Sequence, residues 1–273
     1  MEPQIESRST EFVDAPDGTR IAYRRLGSGP PIVALHGGLG SSRTWEAVAR
    51  RLADRNEFFL VDRRGRGESD DGTEPHALAR EVEDARAVLA AAGRGALLMG
   101  HSYGGAIALE VAREAFPGEL GGLILYEPAV HIRDAIPREQ LDRLRGLIAA
   151  GLPEQAVPYG LGLLDAAGLV SADGPASTRP LKRTPELTRV VATIAREIDA
   201  VNRLDADPAR YSAVDVPTLL LVGSESPART QGVCRTLAQE LPDVEVVRLD
   251  GVGHVAHTMA PDVVAGAIAA FLD

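Results

Sequence analysis

Leu97-Leu98-Met99-Gly100-His101-Ser102-Tyr103-Gly104-Gly105 is the stretch that decides how this chain is read. The apolar run before Gly100 has the character of a buried strand, and Ala106-Ile107-Ala108-Leu109-Glu110-Val111-Ala112 after it has the character of a helix. Between them stands Gly-x-Ser-x-Gly, the sequence of a nucleophile elbow. Gly100 and Gly104 flank Ser102 because the turn is tight and neighbouring backbone leaves no room for a Cβ. The turn holds the Ser102 hydroxyl at the carboxyl end of a strand, beside a helix N-terminus. There a base can take its proton and backbone N–H groups can stabilise an oxyanion. A short glycine-serine match also occurs in ordinary turns; the strand before it and the helix after it give this one its weight.

Strands and helices alternate on both sides of the elbow. Residues 11–14 and 20–26 flank Pro16-Asp17-Gly18 and read as a hairpin. Apolar runs at 32–35, 58–61, 96–99, 123–126, 218–222 and 244–249 read as further strands, and helical patterns lie at 44–54, 76–92, 230–241 and 261–272. Near-continuous apolar strands alternating with helices predict a doubly wound, mostly parallel eight-stranded sheet covered on both faces. The interval 129–216 breaks the rhythm: it carries helical patterns at 138–149 and 185–204 and no convincing strand. We read it as a helical cap inserted above the carboxyl ends of the strands, with 1–128 and 217–273 forming the core domain. Its apolar positions, Leu144, Leu147, Ile148, Leu161, Leu163, Leu164 and Leu169, are divided between packing on the core and lining an apolar pocket. Tyr159 and Tyr211 are candidates for the same two roles.

Ser102 needs a base. His254 lies in Asp250-Gly251-Val252-Gly253-His254, just after the last strand, in a glycine-flanked loop that can reach back to the elbow. His257 is its competitor but has no glycine frame, and His36, His76, His101 and His131 have no such context. His101 is the variable residue inside the elbow and reads as structural, and His36 as a brace for its loop. An oxyanion hole needs two converging donors. The Tyr103 N–H is one candidate, and Gly38 (or Leu39) in the His36-Gly37-Gly38-Leu39-Gly40 loop is the other.

With these motifs in hand, the chain resembles the α/β-hydrolase-fold superfamily, on the serine hydrolase or esterase side. The resemblance rests on His36-Gly37-Gly38, on Asp62-Arg63-Arg64-Gly65-Arg66-Gly67-Glu68-Ser69, on the elbow and on Gly251-x-Gly253-His254, in the family's order and over nearly the whole chain. It implies structural work for the Asp62 to Ser69 segment and no metal or cofactor. The acid of the triad departs from the pattern. Similar enzymes carry Asp in Gly-x-x-Asp-Pro after the strand at 218–222; here the segment is Gly223-Ser224-Glu225-Ser226-Pro227, and Ser226 fills the slot. A serine cannot stabilise an imidazolium as a carboxylate does. Glu127, in Leu125-Tyr126-Glu127-Pro128, occupies the alternative acid position known in some relatives and is preferred; Glu225, one residue early, is the alternative, and absence of an acid is the third case.

A serine nucleophile implies acyl transfer on an ester, thioester, lactone or amide, since similar dehalogenases and epoxide hydrolases carry Asp at the elbow. The leading expectation is a cofactor-independent hydrolase of a small to medium, largely apolar ester, thioester or lactone. Three other readings share the scaffold: a cofactor-free haloperoxidase, a biosynthetic cyclase, lyase or C–C bond-forming enzyme, and a non-catalytic ligand-binding protein. Composition narrows the partners. The 273 residues have 45% hydrophobic content and a formal net charge of −10, which disfavours nucleic acid and anionic membrane and leaves a small-molecule substrate. The single cysteine, Cys234, excludes an intramolecular disulfide and a cysteine-rich metal site. Met1-Glu2-Pro3-Gln4 opens no apolar signal core, so a cytoplasmic protein is expected. Oligomeric state has no sequence signal.

Overall fold

The computed structural model describes residues 9–73, 75–130, 136–166 and 185–273. Eight strands form one sheet: β1 (Glu11–Asp14), β2 (Arg20–Gly27), β3 (Pro31–Leu35), β4 (Glu57–Val61), β5 (Ala96–His101), β6 (Leu120–Tyr126), β7 (Thr218–Gly223) and β8 (Val244–Leu249). Their order is β1-β2-β4-β3-β5-β6-β7-β8. The β1–β2 hairpin and the β2–β4 pair are antiparallel, and every later pair is parallel. Parallel strands must be covered on both faces, and their sequences show it: Ile32, Val33, Leu98, Met99, Leu123, Ile124, Leu219 and Leu220 are all completely buried.

One face packs on α2 (Leu78–Ala92), α3 (Tyr103–Arg113) and α7 (Ala228–Glu240), through residues such as Val88, Leu109 and Leu237. The other packs on α1 (Glu46–Leu52), the short α8 (Ala256–Met259) and α9 (Pro261–Leu272), through Trp45, Val48, Val264 and Ile268. Cys234 is buried on α7, where desolvation pushes its thiol up to about 12, so it serves as a small apolar residue. Between β6 and β7 come α4 (Arg138–Ala149), α5 (Pro153–Ala166) and α6 (Pro185–Asn202), which share an apolar cluster of their own built on Leu141, Leu144, Val157, Val191 and Ile194.

Most strand and helix positions follow the sequence pattern, with three differences. The expected helix at 44–54 is a 3-10 turn (Ser42–Trp45) running into the shorter α1. The elbow strand runs on to His101, directly against the serine. Helix α5 was not anticipated, because Pro158 inside it and two glycines mask the helical period. Leu169 and His131 lie outside the described residues. Tyr211 belongs to the core: it is fully buried and its hydroxyl donates to Glu110 at 2.9 Å. Tyr159 packs beneath the Arg143 guanidinium, 4.8 Å from the ring centre. Among the described residues no helix is long and apolar enough to cross a membrane.

The sheet order decides where a site can form. From β3 the chain moves to one side, into β4; from β5 it moves to the other, into β6. The carboxyl ends of β3 and β5 therefore border a topological switch point, where loops diverge and leave a crevice. The loop after β3 begins at His36, and the turn after β5 carries Ser102.

Candidate active site

Ser102 sits at φ 52° and ψ −117°, a conformation that a non-glycine residue adopts only under strain of about 1–3 kcal/mol. The surroundings enforce it. Ser102 N–H donates to Tyr126 O at 3.0 Å, and Ser102 O accepts from Ala106 N–H and, at 2.8 Å, from Ala129 N–H. A Cβ on Gly104 would stand 2.6 Å from the carbonyl oxygens of Leu35 and His36, and one on Gly100 would stand 2.4 Å from Gly104 O. The two glycines let β3, the turn and α3 close on one another. Tyr103 is the first residue of α3, so its N–H has no intrahelical acceptor and points out of the helix end.

The register of three neighbouring strands brings the rest together. His101 pairs with Tyr126, and Tyr126 pairs with Leu221, so Ser102 and Glu127 each stand one residue beyond adjacent strand ends. Glu127 has φ 45°, a second strained non-glycine residue, and is 1% exposed. Its Oε2 accepts from His254 Nδ1 at 2.6 Å. Its Oε1 accepts from Gly223 N–H at 2.7 Å and from the Ser226 hydroxyl at 2.5 Å. Ser226 thus occupies the slot where the family pattern has Asp and turns its hydroxyl to a carboxylate that arrives from the next strand. Glu225 is exposed and makes no hydrogen bond to His254. The His254 loop is fixed by Tyr126, whose hydroxyl donates to Gly253 O and accepts from Ala256 N–H.

With Nδ1 held by Glu127, Nε2 is the nitrogen of His254 left for the serine. Ser102 and His254 line one cavity of about 250 Å³ but are not hydrogen-bonded to each other in this state. Serine–histidine contacts of this kind commonly tighten only when substrate is bound. Gly37, Gly38, Leu39 and Gly40 form the facing wall, and Ala129, Leu164, Ile194, Ile198 and Val201 make the remainder largely apolar. His101 and His257 also line it. His101 Nε2–H donates to His254 O at 2.8 Å, and the His101 and His257 rings lie 4.2 Å apart. Burial holds both imidazoles neutral: His101 is pushed well below the usual range and His257 down to about 3, with other histidines adding to the shift. His36 is fully buried and likewise shifted far down, first by desolvation and then by Arg63 and Arg66. Its Nδ1–H donates to Gly37 O at 2.8 Å and its Nε2 accepts from Arg63 N–H, tying the glycine loop to β4.

The arginine-rich segment after β4 divides in two. Arg64 forms a two-pronged pair with Asp84 and reaches Asp17, while Asp62 accepts from Ser42 and Glu68 N–H groups; these contacts fasten loops to the core. Arg63 and Arg66 instead converge on Glu197 of α6, at 2.8 and 2.6 Å. Sequence reasoning passed over Glu197. Its signal was there to find: with Ile194, Ile198 and Val201 it shares one face of α6, an acid on an apolar stripe.

Known proteins bear on this geometry. Residues 32–267 match the model of the alpha/beta hydrolase family. The chain is 26% identical to 2-(acetamidomethylene)succinate hydrolase of Mesorhizobium japonicum, over 93% of this chain and 91% of that one. It is also 26% identical to a putative carbamate hydrolase of Azorhizobium caulinodans, over 89% and 91%. Among solved structures, an alpha/beta hydrolase from Sphaerobacter thermophilus superposes with a TM-score of 0.79 at 32% identity, covering 96% of this chain and all of that one. These relatives are hydrolases, and this chain belongs to the alpha/beta hydrolase family.

Proposed function

We propose that the chain hydrolyses a small, largely apolar ester, thioester or lactone through a Ser102 acyl-enzyme, with Glu127 as the acid of its triad and residues 129–216 as a cap over the site. The observation that carries this reading is the 2.6 Å contact from His254 Nδ1 to Glu127 Oε2, on a histidine that shares a cavity with a strained elbow serine. A carboxylate at Nδ1 fixes the tautomer that leaves Nε2 free to accept a proton, and it stabilises the imidazolium once formed.

Ser102 Oγ attacks the substrate carbonyl as its proton passes to His254 Nε2. The oxyanion is held by the N–H of Tyr103 and that of Gly38 (or Leu39). The intermediate collapses, and His254 returns the proton to the leaving oxygen or sulfur. Water then attacks the acyl carbon as His254 takes its proton, and His254 returns that proton to Ser102 Oγ as the acid product leaves. The relatives named for an acetamido compound and a carbamate extend the candidate leaving groups to nitrogen. The mainly apolar surface of the cavity wall supports an apolar acyl or alkyl portion.

The test is covalent. A fluorophosphonate probe followed by intact mass measurement is expected to add one phosphonyl group to the wild type and none to Ser102→Ala. A wild-type protein that stays unlabelled under conditions that label a control esterase contradicts the proposal.

A further inference from the structure

Glu197 is the one carboxylate among the described residues that line the cavity, and its two oxygens differ. Oε1 accepts from both Arg63 and Arg66. Oε2 has no hydrogen-bond partner among the described residues, although the side chain is only 6% exposed. It is directed at the glycine loop: a Cβ on Gly38 would stand 3.0 Å from it. Neither guanidinium lines the cavity, and burial keeps the lining His101 and His257 uncharged. The two guanidiniums answer the charge of Glu197 through Oε1, and the wall presents Oε2 as a carboxylate oxygen without a hydrogen-bond donor, beside a proposed oxyanion donor.

Such an oxygen opposes the chemistry if nothing answers it. A substrate oxygen at Gly38 that gathers negative charge would lie beside the lone pairs of Oε2, with no donor between them. A substrate that covers Oε2 without offering it a donor also strips it of water and leaves it unsatisfied. A substrate that brings a cationic nitrogen close to its carbonyl removes both penalties at once: its N–H groups donate to Oε2 and lie between that oxygen and the developing oxyanion. Resting on the hydrolase reading above, we infer that Glu197 selects substrates with an ammonium group a few atoms from the scissile carbonyl and rejects those with a carboxylate there. Arg63 and Arg66 act through Glu197, holding the oxygen that the substrate does not use.

Three methyl esters of matched length separate the possibilities: methyl 3-aminopropanoate, protonated at neutral pH; methyl butanoate; and monomethyl succinate. In the wild type, kcat/KM for the ammonium ester should exceed that for the neutral ester at least tenfold, and the carboxylate ester should be slowest. In Glu197→Gln the ammonium-to-neutral ratio should fall at least tenfold and the penalty on the carboxylate ester should shrink. A ratio is unaffected by the amount of folded protein, and the wild-type ranking stands without any variant. Equal ratios in wild type and Glu197→Gln, or a wild type that prefers the neutral ester, overturn the inference while leaving hydrolysis intact. If fluorophosphonate labelling fails and no ester turns over, the hydrolase reading falls by itself. The charge preference is then read from saturation-transfer NMR titrations of the same esters on Ser102→Ala, where tighter binding of the ammonium ester supports the inference and equal binding refutes it.

Discussion

The ends of β6 and β7 lie side by side beneath the His254 loop, and each offers a glutamate. At the end of β7, where the family pattern puts its acid, Glu225 is turned to solvent and Ser226 points inward. At the end of β6, Glu127 is buried in a strained backbone conformation and spans His254, Gly223 and Ser226. The difference shows that the carboxylate oxygen on His254 Nδ1 is fixed by a point in space and not by a point in the chain. Because β6 lies between the elbow strand and β7, a side chain from its end reaches that point as readily as one from β7. The price is a strained Glu127, and the Ser226 hydroxyl gives it an extra donor.

The most severe way to break this arrangement is Glu127→Gln. The isostere keeps the volume but presents an amide that can no longer stabilise the imidazolium, and kcat/KM for an activated ester should fall by about 10³–10⁴. Steady-state kinetics on p-nitrophenyl acetate check it. The second test moves the carboxylate across: Glu127→Gln combined with Ser226→Asp returns an acid to the family slot. It should recover at least tenfold of the lost rate, on the order of 1.4 kcal/mol. Ser226→Asp alone should be slower than wild type, because two buried carboxylates would then contend for one position.

His254 and His257 make a second pair, three residues apart, of which only the first has a carboxylate. Burial lowers His257 from an ordinary value of 6.5 to about 3. Between those values the unfolded chain binds a proton that the folded chain does not, so stability rises with pH through this window and is lost as pH falls below 6.5. The share of one such histidine is roughly 1.4 kcal/mol per pH unit. Urea unfolding at several values between pH 4.5 and 6.5 should show a slope that is shallower by about that amount in His257→Leu. The smallest effect is expected of Ser226→Ala. Loss of one hydroxyl donor on Glu127 should cost about 1 kcal/mol, read as a roughly fivefold lower kcat/KM.

Ser102 and His254 were legible in the sequence because glycines mark them. A tight elbow and a loop that must turn back at once after a strand impose local backbone demands, and local demands leave local signatures. The choice between Glu127 and Glu225 was not legible in the same way. It depends on the parallel register of β5, β6 and β7, which is set by packing between segments far apart in the chain. Glu197 lay deeper still. Its meaning comes from Arg63, 134 positions earlier, and from the way α6 lies against the loops after β3 and β4. Sequence reading expected helices at 138–149 and 185–204, close to α4 and α6 as found, yet a helical period says which face is buried and not what that face meets.

In the proposed mechanism Glu127 primes Ser102 through His254. The most direct measurement is the second-order rate of Ser102 labelling by a fluorophosphonate in Glu127→Gln and in Glu225→Gln, each against wild type. A fall of about 10³ is expected for Glu127→Gln and a rate within about twofold of wild type for Glu225→Gln. A Glu127→Gln protein that labels as fast as wild type, or a Glu225→Gln protein that is the one to slow, contradicts it.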